Sequence, residues 1–77
     1  PYSYNTYDSY AYALMQKGEY RKSISYYKMG LEILKKYPLE NNSESVLKDA
    51  ENALKSIEEM ELKIKNQVMN PPDHNQQ

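Results

Sequence analysis

Gly18 interrupts a chain that otherwise favours helix, and the residues that follow it place Tyr20, Ile24, Tyr27, Leu31 and Leu34 four, three, four and three positions apart. That alternation is one face of an α-helix, and a glycine directly before it supplies the left-handed residue at which a preceding helix stops. The stretch therefore predicts an antiparallel helical hairpin with a narrow gap at Gly30. Upstream, Tyr7, Tyr10, Ala11 and Leu14 fall on one stripe, with Asn5 or Thr6 available as N-cap, so the first helix is expected over residues 5–17. The second is expected over 19–37, because Pro38 disfavours helical geometry at the residue before it and the polar run from Glu40 to Ser45 reads as a turn and a new cap.

From Ser43 a longer pattern begins, in which Leu47, Ala50, Leu54, Ile57, Glu61, Ile64 and Val68 alternate at three and four, with Met60 and Leu62 flanking the polar interruption. It predicts a third helix of about 25 residues, the longest of the three. Strand signals are missing: there are no alternating Val/Ile/Thr runs and no Asn-Gly or Asp-Gly turns. The expected fold is all-α, an antiparallel three-helix bundle over residues 1–68, followed by a Pro-rich polar linker at 69–77. Small residues at Ala11, Ala13, Ser23, Gly30, Ala50 and Ala53 are the expected points of close approach. Tyr7, Tyr10, Tyr20 and Tyr27 are expected in the core with their hydroxyls at its edge, and the remaining tyrosines on the surface.

Composition narrows the function. Seventy-seven residues make one small domain, and without cysteine and with a single histidine, His74, neither a disulfide framework nor a thiolate or imidazole metal site can form, so no cofactor is expected. Ten basic and eleven acidic side chains leave a net charge of −1, which provides no overall attraction to nucleic acid or to an anionic bilayer. The apolar runs are far too short to insert in a membrane, and no signal-like leader opens the chain, so a soluble cytoplasmic module cut from a longer protein is expected. Asp49, Glu51, Glu58, Glu59 and Glu61 share a helix with Lys48, Lys55, Lys63 and Lys65 at ion-pair spacing and read as a solvated face. No phosphate loop, nucleophile elbow or metal-ligand spacing occurs, and the module is expected to be non-catalytic. Nine tyrosines without Phe or Trp are unusual, yet nucleic-acid stacking on them lacks an interleaved basic platform.

The feature that remains is the groove between the second and third helices, a slot in which an amphipathic peptide can lay its apolar anchors. Gly18-Glu19-Tyr20, Ser23-Ile24, Tyr27, Gly30-Leu31 and Leu34, with the run Tyr26-Tyr27-Lys28-Met29-Gly30-Leu31, resemble the helix junction of MIT domains, the microtubule-interacting and trafficking modules of spastin, spartin, katanin and the ESCRT-disassembling AAA ATPases. Val46, Ala50, Ala53-Leu54, Ile57, Met60 and Ile64 are similar to the hydrophobic positions of that family's third helix. The junction also resembles the tetratricopeptide consensus at Tyr7, Tyr10, Ala11, Leu14, Gly18, Tyr20, Ser23, Tyr27 and Gly30, but residues 41–68 do not repeat it, which leaves a tetratricopeptide-type scaffold fragment as the alternative.

The MIT resemblance implies binding of C-terminal motifs of ESCRT-III proteins, as a helix along the second and third helices or as an extended strand between the first and third, and recruitment to endosomal or other ESCRT-bearing membranes of a parent that is an AAA ATPase or a trafficking factor. By position it implies Leu54 as the groove floor, Ala50, Ile57 and Glu58 beside it, and Leu31 and Leu34 as support. Lys55 stands where several relatives carry an acidic residue, a charge reversal that disfavours the usual basic pairing at that rim. Among the second-helix cations Arg21, Lys22, Lys28, Lys35 and Lys36, the first three are the candidates for an accessory contact with microtubules through an acidic tubulin tail.

Overall fold

The turn at Gly18 sets the topology. In the computed structural model, which describes residues 3–38 and 43–69 with the side chains of 68 and 69 excepted, Gly18 adopts φ +84°. Its N–H donates to the Met15 carbonyl at 3.0 Å, while that of Glu19 donates to the Leu14 carbonyl at 3.0 Å. This is the paired Schellman closure that satisfies the last carbonyls of a helix and reverses the chain in two residues.

Three helices result: α1 (Tyr4–Gln16), α2 (Tyr20–Lys36) and α3 (Glu44–Met69). The expected boundaries hold to within a residue or two. The start of α1 differs: Ser3, and neither Asn5 nor Thr6, occupies the N-cap position. At the start of α3, Ser43 acts as the expected cap, its Oγ accepting from the Val46 N–H at 3.2 Å. The proposed linker lies outside the described residues except for Met69.

α1 packs on α2 and α2 on α3, antiparallel in each case, and Ala11, Ile24, Tyr27, Ala53, Ile57 and Met60 form the buried core. Small residues let α1 and α2 approach closely. Ala11 and Ser23 are fully buried, and the Ser23 Oγ donates to the Ala11 carbonyl at 2.7 Å, so the hydroxyl sits in the interior without losing a partner. Gly30 lies against the first turn of α1, where an added Cβ would stand 3.4 Å from the Tyr7 Cβ and 3.5 Å from the Tyr4 carbonyl oxygen.

Three expectations about the core are corrected. Ala13 is exposed, because it points away from α3 on the outer side of α1. Tyr10 is 52% exposed, whereas Tyr4, expected on the surface, is buried: at the start of α1 it reaches across to α3 and donates its hydroxyl to Asp49 Oδ2 at 2.7 Å. On α3 the buried stripe is Ala53, Ile57 and Met60 with Ile64 half-buried, rotated from the expected line through Leu47 and Leu54, which are 59% and 54% exposed. The rotated line puts apolar Met60 inside; the expected one would have put Glu61 there.

Candidate functional site

The register of α3 is fixed from both sides. Towards α1 it presents Asp49, bonded to Tyr4, and towards the inner side of α2 it presents Ser56, which hydrogen-bonds the Tyr27 hydroxyl. Towards the outer side of α2 it presents Glu61, whose Oε2 lies 3.9 Å from Lys28 Nζ. Leu47, Leu54 and Glu61 are seven residues apart, two helical turns each, so the exposed leucines share the line that borders α2.

A groove between α2 and α3 follows from that register. Its α2 wall holds Leu31 and Leu34, both half-buried, and its α3 wall holds exposed Leu47 and Leu54 with half-buried Ala50 at their base. The floor is closed. The space bounded by Leu31, Leu34, Ala50 and Ala53 with Tyr4, Asp8, Tyr27, Gly30 and Asp49 is only about 10 Å³, too small for more than one water. Anchors of a visiting segment would lie along the rim and not in a hole.

The predicted site residues separate in this frame. Leu54, Ala50, Leu31 and Leu34 come together; Ile57 belongs to the core beneath them. Glu58 is exposed along the leucine line together with Glu61 and Lys65, which sequence reading did not assign to the groove, whereas Glu51 lies further out. Lys55, one helical step of about 100° from Leu54, lies on the outward face beside Glu51, and the rim next to Leu54 carries Glu58 and Glu61, with Lys65 a turn beyond. Lys28 and Lys35, seven apart on α2, face that rim. The groove therefore carries cations on one side, carboxylates on the other and leucines on both. The signal that would have found this was Met60, since only a stripe through Met60 keeps every charged residue of α3 out of the core.

Arg21, Lys22 and Lys28 do not form one patch. Arg21 and Lys28 are two turns apart on the α3 side of α2, whereas Lys22 lies on the opposite side and pairs with Glu19 at 3.4 Å.

Electrostatic stress concentrates where α1 meets α3. Burial, then the neighbouring Asp49 carboxylate, push the Asp8 carboxyl above its ordinary value. Burial and the hydrogen bond to Asp49 push the Tyr4 hydroxyl up to about 12, so it stays protonated and donates to that carboxylate at all ordinary pH. Burial also raises Tyr27, with the Ser56 hydrogen bond working in the other direction. The Tyr4–Asp49 bond ties α1 to α3 and the Tyr27–Ser56 bond ties α2 to α3, while the Asp8 charge beside Asp49 works against closure. Among the described residues no cluster of three metal-ligating side chains occurs, and no helix is long and apolar enough to cross a membrane.

Comparison of the chain with protein-family models, with curated proteins and with solved structures returns no match.

Proposed function

We propose that this bundle is an MIT-like interaction module which binds amphipathic C-terminal segments of ESCRT-III proteins along the α2/α3 groove and so recruits the protein that carries it to ESCRT-bearing membranes. The observation that carries the reading is Leu54, 54% exposed in mid-helix, in line with Leu47 at 59% and beside half-buried Leu31 and Leu34. Large aliphatic side chains left open along one line of the longest helix suit a partner helix with apolar anchors at three- and four-residue spacing. Glu58 and Glu61 beside Leu54 favour a segment whose edge on that side is basic, in keeping with the basic residues of such motifs. An interface of this size belongs to the transient class, with micromolar affinity.

The test is an amide NMR titration with C-terminal peptides from several ESCRT-III subunits. Shifts at Leu31, Leu34, Ala50, Leu54 and Glu58 are expected, together with their loss in Leu54→Asp. Because Leu54 is exposed, that variant should keep its helicity; if it unfolds, Leu54 is a core residue and the groove assignment fails.

A further inference from the structure

We infer that the outer face of the α1–α2 hairpin, on the side away from α3, is a docking surface for an acidic peptide segment carrying one large apolar anchor. Two stripes build it. Thr6, Tyr10, Ala13 and Lys17 follow one another at four, three and four on α1, and Lys22, Tyr26, Met29, Ile33 and Lys36 at four, three, four and three on α2. Tyr26 is half-buried with its inner edge against the core, and Tyr10, Ala13, Lys17, Lys22, Met29 and Lys36 along the two stripes are exposed.

The middle of the face is apolar. Tyr26 stacks on Tyr7 with ring centroids 6.2 Å apart and meets Tyr10 edge-on at 4.7 Å, which locks the three rings into one cluster. Tyr10 remains 52% exposed and Met29 47%, and among the described residues no further helix covers their open sides. Between Tyr10 and Tyr26, above Leu14 and the small Ala13, lies a notch of about 330 Å³ whose rim is completed by Lys17, Glu19 and Lys22. It has room for a leucine or phenylalanine side chain, and its aromatic walls are already held in place by each other, so little ordering accompanies binding.

Charge selects the occupant. Every ionisable side chain on the two stripes other than tyrosine is a cation, Lys17 and Lys22 at one end and Lys36 at the other. Among the described residues the carboxylate at the rim, Glu19, pairs with Lys22 at 3.4 Å and offsets its charge, which leaves Lys17 as the net cation of the notch. On a chain of net charge −1 this is a local reversal, since α3 carries Glu44, Asp49, Glu51, Glu58, Glu59 and Glu61. A segment whose apolar residue enters the notch and whose flanking carboxylates meet Lys17 at its rim and Lys36 further along α2 matches this arrangement. An anionic bilayer fits less well, because the apolar centre is concave where membrane insertion needs protruding side chains. The surface is separate from the α2/α3 groove, and its occupancy does not depend on what that groove binds.

The test uses the whole chain and a labelled synthetic peptide with Glu-Asp pairs on both sides of a central Leu-Phe, read by fluorescence anisotropy and by amide NMR. Saturable binding is expected, with shifts centred on Tyr10, Ala13, Lys17, Lys22 and Tyr26. Ala13→Glu, which fills the notch with a carboxylate at an exposed helical position, should weaken binding at least tenfold, and Lys17→Glu should do so independently. Replacing the peptide's Leu-Phe by alanines should have a similar effect. The proposal is overturned if the peptide does not bind, or if neither variant changes its affinity while helicity is retained. It is equally overturned if phosphatidylserine vesicles or a single-stranded oligonucleotide bind this face in preference to the peptide. The same holds if sedimentation shows a second copy of the chain covering the face.

Discussion

The two glycines should respond oppositely to alanine, and the difference can be worked out from their surroundings. At Gly30 the backbone is helical, and the added methyl would stand 3.4 Å from the Tyr7 Cβ and 3.5 Å from the Tyr4 carbonyl oxygen. Those separations are at the near edge of ordinary van der Waals contact, so the methyl fits without moving backbone. Alanine in a helix interior is favoured over glycine by about 1 kcal/mol. Gly30→Ala should therefore stabilise the bundle by about 0.5–1 kcal/mol, once a few tenths are allowed for the snug contact with Tyr7. In a domain of this size about 1 kcal/mol moves the midpoint by roughly 4–8 °C.

At Gly18 the balance reverses. Nothing lies within 4 Å of the added Cβ, so no clash arises, but φ is +84° and an L-residue there costs about 1–2 kcal/mol. Gly18→Ala should lower the midpoint by a similar or larger interval. Thermal and urea unfolding followed by far-UV circular dichroism would measure both. If Gly30→Ala is destabilising by 1 kcal/mol or more, the helices approach more closely than the described geometry allows. If Gly18→Ala is neutral, the chain reversal does not use the left-handed turn.

Met60, 1% exposed, is the largest fully buried side chain, and Met60→Ala should cost about 2–4 kcal/mol, enough to abolish a cooperative urea transition in so small a domain. Asp8 has its folded-state pKa raised, by burial first and Asp49 second, so its ionisation opposes folding: stability from this group is full below the unfolded carboxylate pKa and is lost as pH rises through the folded value. Asp8→Asn should accordingly be more stable than the parent at pH 7 in urea titrations, with the advantage shrinking to nothing as the pH falls below about 4. Leu54→Asp should leave the unfolding midpoint within about 0.5 kcal/mol of the parent, the usual range for an exposed position, while removing peptide-dependent shifts in the α2/α3 groove.

Helix number, order and ends were legible because each depends on local chemistry: Gly18 stops α1, Pro38 follows the end of α2 and Ser43 caps α3. Facing was harder on α3. Its sequence offers two overlapping apolar lines, one through Leu47 and Leu54 and one through Ala53 and Met60, that share Ile57 and Ile64 as neighbours. Only the cost of burying Glu61 separates them, and periodicity alone does not weigh that cost. The tyrosines misled for a related reason. A tyrosine is apolar enough for a core and polar enough for a surface, so the place of Tyr4 was decided by Asp49, forty-five residues away, and that of Tyr10 by its position at the edge of the α1–α2 contact, where Tyr26 covers one side of the ring.

The choice between the two apolar lines also decides what α3 offers to a partner. Placing small Ala53 at the seam allows α2 and α3 to close until only about 10 Å³ remains beneath Leu31 and Leu34, which removes any deep slot. The same rotation carries Leu47 and Leu54 out to the rim in company with Glu58 and Glu61, and leaves Lys55 on the outward face beside Glu51. A rim of leucines and carboxylates rewards a partner that brings both apolar and basic groups, whereas a deep apolar slot would have rewarded hydrophobicity alone. In this bundle one packing decision thus fixes core stability and groove chemistry together, and a substitution that shifted α3 by one helical step would alter both.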